Sequence, residues 1–299
     1  MTGTSGPTSN TGTGRADGAA AGTGPEPFGA RLHRAMRDRG QLCVGIDPHA
    51  SLLTGWGLGD DVAGLERFTM TVVEALGDSV AAFKPQSAFF ERFGSRGIAV
   101  LERAVAEARA RGALVLMDAK RGDIGSTMTA YAATYLDPDS PLFSDAVTVS
   151  PYLGFGSLRP ALDAAAAAGS GVFVLALTSN PEGAQVQRAT AADGRSVAQT
   201  VLDAIAAENA GATPLGSVGA VIGATIGDAR ADLAVGGPLL APGVGAQGAA
   251  PADLPAVFGA ALPDVLPSVS RDVLRHGPDA GRLRAAVDSY VEQVRAAFT

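Results

Sequence analysis

The chain has little of what most metal and redox chemistry requires. Among 299 residues there is one cysteine, Cys43, so neither an internal disulfide nor a thiolate zinc cluster can form, and a reducing compartment, the cytoplasm, is the expected home. The three histidines, His33, His49 and His276, are scattered and build no HExxH helix or paired imidazole site, which argues against transition-metal catalysis. No stretch reaches the roughly 18 to 20 consecutive apolar residues of a membrane span, and the first residues show no basic-then-apolar leader. The expectation is a chain that is neither exported nor embedded. The net charge is −7 and no block of Lys or Arg occurs, so polymeric nucleic acid is not an expected partner. Chemistry is left to carboxylates, lysines and amides.

What is present is ample material for a core: 46% of residues are hydrophobic and 18% charged, the proportions of a globular protein. Residues 1–27 stand apart. They hold Thr, Gly, Ser, Pro and Ala but no Val, Ile, Leu or aromatic side chain, and cannot bury enough apolar surface to offset ordering entropy. The composition predicts a disordered tail over 1–27 and one catalytic domain over 28–299.

From Phe28 onward short apolar runs alternate with longer amphipathic ones, as when helices connect parallel strands. Strands are expected at 42–47, 80–84, 113–118, 145–150, 171–177, 218–225, 238–242 and 265–270. Helices are expected at 62–77, 95–111, 125–136, 157–168, 195–209, 253–261 and 279–297. Eight such units suggest a (β/α)₈ TIM barrel of the α/β class. A doubly wound open sheet shares the local pattern, but no GxGxxG follows the first strand and no GxxxxGK[ST] occurs anywhere.

In a barrel the chemistry sits at the C-terminal ends of the strands. There the sequence places Asp47, Lys84, Asp118, Lys120, Tyr152, Gly154, then Thr178, Ser179 and Asn180, the run PGVGAQG (242–248), and SVSR ending in Arg271. The densest segment is MDAKRGDIGST (117–127). Asp118 and Lys120 are two apart and share a face of an extended chain. Lys84 from the neighbouring strand and Asp123 from the following turn make an alternating array Lys84, Asp118, Lys120, Asp123 possible. Each member has a plainer reading: a surface ion pair worth about 0–1 kcal/mol for Asp118 and Lys120, a strand end for Lys84, an Asp-Pro turn for Asp47. In combination, burial of unmatched charge is costly enough to favour function over stability. The glycines of PGVGAQG, Gly245 among them, let backbone N–H groups turn toward an anion. Gln247 adds a donor and Arg271 a forked cation suited to a phosphate monoester.

GIDP, FKPQ, DAKRGDI, SPYLG, TSNP and PGVGAQG, in this order, resemble the orotidine 5′-phosphate decarboxylase family, in particular its longer bacterial (type 2) group, from about residue 31 to 297. The resemblance implies a homodimeric barrel that converts orotidine 5′-phosphate to UMP and CO₂, the last step of de novo pyrimidine nucleotide synthesis, without metal or organic cofactor. By the same analogy Lys120 would stabilise a carbanion at C6 and donate the replacing proton, oriented by Asp118. Lys84 would orient Asp118 and contact the ribose, and Asp123 would reach the partner's site. Asp47 and Gln86 would face the ribose, Thr178 or Ser179 the pyrimidine edge, and Gly245, Gln247 and Arg271 the 5′-phosphate. Related barrels share the DxKxxD core and act on sugar phosphates with magnesium. A magnesium-dependent sugar-phosphate decarboxylase or aldolase is therefore the alternative. A Schiff-base aldolase using Lys84 or Lys120 and a non-catalytic phosphonucleotide binder are further ones.

Overall fold

The structure, a computed structural model, describes residues 1–4 and 24–299; the tail expected over 1–27 lies, for residues 5–23, outside the described residues. Eight parallel strands close into a barrel in the order of the chain: β1 Cys43–Ile46, β2 Ala82–Pro85, β3 Leu114–Arg121, β4 Ala146–Val149, β5 Gly171–Leu177, β6 Val218–Ile222, β7 Leu239–Pro242 and β8 Val265–Val269, with β8 returning to β1. Each lies within or beside its predicted segment. The main surrounding helices are Val62–Leu76, Ser95–Ala110, Gly125–Leu136, Arg159–Ala168, Val197–Glu208, Leu254–Phe258 and Ala280–Ala297.

The pattern differs from eight uniform units in two places. The segment 223–238, between β6 and β7, forms turns and no helix. Residues 181–187, after β5, add only a 3₁₀ turn and the short helix Ala184–Gln187 before the regular helix begins.

Alternation along each strand sorts side chains into two cores. Val44, Phe83, Val115, Met117, Val147 and Val172 pack outward under the helices. Cys43, Ala82, Leu114, Leu116, Ala146, Phe173, Val221, Leu240 and Leu266 pack together inside. This interior is closed from below by a helix before β1, α1 (Phe28–Arg39), whose Phe28, Leu32 and Met36 recur every four residues and enter the same cluster. Phe28 meets Phe173 edge-to-face at 5.9 Å. With the bottom filled by apolar side chains, the same inward parity carried upward presents Lys84 and Gln86 on β2 and just beyond it, Asp118 on β3 and Thr148 on β4.

Among the described residues no helix is long and apolar enough to cross a membrane. At the bottom rim, buried Asp145 pairs with Arg31 of α1 and accepts the Val115 N–H at 2.9 Å, tying the plug to β3. Asp145→Ala should lower unfolding free energy by about 2–3 kcal/mol, because a buried amide and a guanidinium lose one acceptor. Urea denaturation measures the change; a loss below about 0.5 kcal/mol would contradict this account of the plug.

Candidate active site

A cavity of about 370 Å³ opens at the C-terminal end of the barrel, lined by Asp47, His49, Lys84, Gln86, Asp118, Lys120, Thr148, Thr178, Gln247, Ser268, Ser270 and Arg271, among others. At its centre is the Asp118 carboxylate. Oδ2 accepts from Lys84 Nζ at 2.9 Å, while Oδ1 accepts from Lys120 Nζ at 2.5 Å and from the Thr148 hydroxyl at 2.9 Å. Gln86 links the same groups: its amide nitrogen donates to the Asp118 carbonyl at 3.2 Å and its amide oxygen accepts from Lys120 Nζ at 3.2 Å.

Burial opposes charge on both Asp118 and Lys84, yet each stays ionised. The two lysines overcome desolvation and hold the Asp118 carboxyl well below the usual carboxylate range. Asp118 and Asp47 likewise outweigh desolvation and hold Lys84 above an ordinary lysine. Lys120 differs in access: its side chain is 44% exposed, against 7% for Lys84, so of the two lysines lining the cavity it is the more open.

Two residues apart on an ideal strand was the expected geometry for Asp118 and Lys120, but the structure reaches the shared face differently. The β3–β4 register shifts between Met117 and Arg121, and Lys120 has φ +49°. For a long L side chain the left-handed region costs about 1–2 kcal/mol. The next turn needs glycine for another reason: a Cβ on Gly122 would stand 2.5 Å from the Ser150 carbonyl oxygen.

Asp123 is not part of the cavity lining; its carboxylate accepts the Ile124 N–H at 2.8 Å. The array therefore has three members within one chain. Asp47 lines the cavity with a buried Oδ1 that has no partner among the described residues, and Ser270 Oγ beside it is in the same condition. Both sit against Gly45, where a Cβ would lie 2.8 Å from Ser270 and 3.0 Å from Asp47. Thr178 lines the cavity, its hydroxyl engaged by Asn180 and Gln187, whereas exposed Ser179 does not. Tyr152 is also exposed and outside the lining.

In the loop after β7, Gly243, Val244, Ala246 and Gln247 face the cavity, but Gly245 does not. The Gly245 N–H donates to the Ala249 carbonyl at 2.8 Å, and its φ of +83° turns the bare Cα toward Asp272 and Tyr290. A Cβ there would lie 2.6 Å from Asp272 Oδ2. Tyr290 donates to that same oxygen at 3.0 Å, and burial together with Asp272 pushes its phenol up to about 12. Arg271 lines the cavity and forms no ion pair among the described residues, leaving a cation beside Gln247.

Sequence reasoning missed Thr148 and His49, and gave no role to Ser268 and Ser270 of the SVSR run. Thr148 and Ser268 carry a signal that could have found them: each is two residues beyond an inward apolar residue, Ala146 and Leu266. His49 carries none; its ring packs against Phe89 at 4.3 Å.

A closed α/β barrel with two lysines gripping a buried carboxylate, and a free cation beside a glycine-rich loop, defines an enzyme site for a small anionic substrate. Residues 40–286 match the orotidine 5′-phosphate decarboxylase / HUMPS family, and the chain belongs to it. It is 70% identical over 275 residues to the orotidine 5′-phosphate decarboxylase of Streptomyces coelicolor, covering 92% of this chain and 99% of that one. To the enzyme of the same name from Salinispora arenicola it is 68% identical, with the same coverage. The crystal structure of a candidate orotidine 5′-phosphate decarboxylase from Streptomyces avermitilis superimposes with a TM-score of 0.91 at 72% identity, over 92% of this chain and 97% of that one.

The charge array sets a pH dependence. A depressed carboxyl stabilises the fold above its unfolded pKa of about 3.9, and that contribution is lost as pH falls through the lower folded value. The stability difference between wild type and Asp118→Asn should be constant from about pH 5 to 7, at about 3–5 kcal/mol for a lysine left unpaired, and should shrink below about pH 4. Urea titrations across pH 3 to 7 test this, and a difference that grows on acidification would contradict it.

Proposed function

We infer that the chain decarboxylates orotidine 5′-phosphate to UMP and CO₂, with residues 28–299 acting as one catalytic domain. The observation that carries the reading is the Lys120 ammonium, open to the cavity and fixed by Asp118 and Gln86, in a chain 70% identical to an orotidine 5′-phosphate decarboxylase. When the C6–carboxylate bond breaks, CO₂ departs and the electron pair remains on C6, where the pyrimidine ring stabilises it poorly. A fixed ammonium beside C6 lowers that cost, and Lys120 then transfers a proton to C6 and is reprotonated from solvent. Neither a metal nor an organic cofactor enters this scheme.

Asp118 orients Lys120, and Lys84 orients Asp118 and contacts the ribose. Asp47, whose buried Oδ1 lacks a partner, is suited to accept from a ribose hydroxyl, with Gln86 alongside. Of Thr178 and Ser179, the reading assigns the pyrimidine edge to Thr178, which lines the cavity. Gln247 and Arg271 take the 5′-phosphate; Gly245 contributes by shaping their loop, its own amide being engaged. Phosphate binding remote from C6 supplies energy for orienting the reacting group. The reading places the enzyme in the cytoplasm.

It also includes a homodimer in which Asp123 reaches the partner's cavity. Support comes from Asp123 lying outside its own cavity, and from exposed Ile124, Tyr152 and Leu153 on adjoining loops, joined where Gly122 meets Ser150. Exposed apolar side chains grouped this way suit an interface.

Purified protein in EDTA should consume orotidine 5′-phosphate, followed spectrophotometrically, and Lys120→Ala should lose at least about 10³-fold in kcat. No turnover until magnesium and a phosphorylated sugar are supplied would favour the alternative barrel chemistry. For the shared site, Lys120→Ala and Asp123→Ala proteins, each nearly inactive, should recover about a quarter of wild-type activity after subunit exchange, since one site of each mixed dimer is intact. No recovery after demonstrated exchange would remove Asp123 from the partner's site.

A further inference from the structure

We propose that Thr148 is a positioning residue for Lys120, holding both the backbone and the charged end of that lysine in the arrangement decarboxylation requires. The inference rests on the reading above for its kinetic consequence, but its structural content stands separately. Thr148 is 1% exposed and its single hydroxyl is used in both directions. It accepts the Lys120 backbone N–H at 3.0 Å and donates to Asp118 Oδ1 at 2.9 Å, the oxygen that also holds Lys120 Nζ at 2.5 Å. One oxygen atom on β4 therefore fixes where Lys120 starts and the carboxylate on which it ends.

Lys120 has a reason to need this. Its φ of +49° is a conformation that L residues leave unless the surroundings hold them, and it lies inside the β3–β4 register break, between the paired residues Met117 and Arg121. Within that break the Lys120 N–H takes the Thr148 side chain on β4 as its acceptor. A hydroxyl serves because it is donor and acceptor at once; a valine of the same shape is neither.

Removing the hydroxyl leaves the Lys120 amide without that acceptor and Asp118 Oδ1 with one donor fewer, while the fill of the barrel is unchanged. Lys120 can then relax toward negative φ and withdraw its ammonium from Asp118. Misplacement of about 1 Å at a reacting group costs up to about 100-fold in rate. Thr148→Val should therefore lower kcat by about 10- to 100-fold and leave UMP affinity within about threefold, since an interaction made in the transition state and not with product is lost. Thr148→Ser, which keeps the hydroxyl, should stay within about threefold of wild type in both.

The experiment pairs kinetics and UMP titration of wild type, Thr148→Val and Thr148→Ser with a ligand-free crystal structure of the valine variant. The expected structure has Lys120 out of the left-handed region and Nζ beyond hydrogen-bond distance of Asp118. Lys120 unmoved in that crystal, or a serine variant as slow as the valine variant, would overturn the proposal. Displaced Lys120 together with a wild type that does not turn over orotidine 5′-phosphate would uphold the positioning role and overturn the decarboxylase reading.

Discussion

The site depends on a buried carboxylate with three donors. Asp118 lies where β2, β3 and β4 meet, and its two oxygens take the ammonium groups of Lys84 and Lys120 and the hydroxyl of Thr148. Without that charge Lys84 would be a desolvated ammonium facing only Asp47, and Lys120 would keep only the amide oxygen of Gln86. The balance of the cavity follows from the same group. Lys84 and Lys120 are matched by Asp47 and Asp118, so Arg271 remains as the cation without a counter-charge, and the cavity presents a net positive charge to an anionic ligand.

The barrel supplies this arrangement by parity. Inward positions are apolar at the bottom, where Cys43, Ala82, Leu114 and Ala146 pack on the plug from α1, and polar at the top, where the same faces carry Asp47, Lys84, Asp118 and Thr148. Filling the lower half with hydrocarbon stabilises the closed sheet, and the upper half can then hold charges whose desolvation cost is offset by one another. Above them the glycine-rich loop is braced separately: Gly245 sits against the Asp272–Tyr290 pair, which connects the loop after β7 to the Ala280–Ala297 helix.

Parity and strand-end position are sequence properties, which is why so much could be read early. All eight strands lie at or beside their predicted segments, and Lys84 and Asp118 meet because each occupies an inward position near the end of β2 or β3. What depends on neighbouring strands was not legible. The left-handed backbone of Lys120 lies in a register break against β4, and the bond from its N–H to the Thr148 hydroxyl is recognisable only once β3 and β4 are side by side. Loops were hardest: Gly245 was expected to turn its amide to an anion and instead turns it to Ala249. The α1 plug was missed although Phe28, Leu32 and Met36 recur at helical spacing, because most of its other positions are basic or otherwise polar.

The central claim is one of placement: a nucleotide lies in the cavity with its phosphate at Gln247 and Arg271 and C6 of its pyrimidine at Lys120. A crystal structure of the chain with bound UMP tests it most directly. The account predicts C6 within about 3–3.5 Å of Lys120 Nζ, the separation of groups poised to exchange a proton. UMP bound with C6 turned away from Lys120, or with its phosphate away from Arg271, would contradict it.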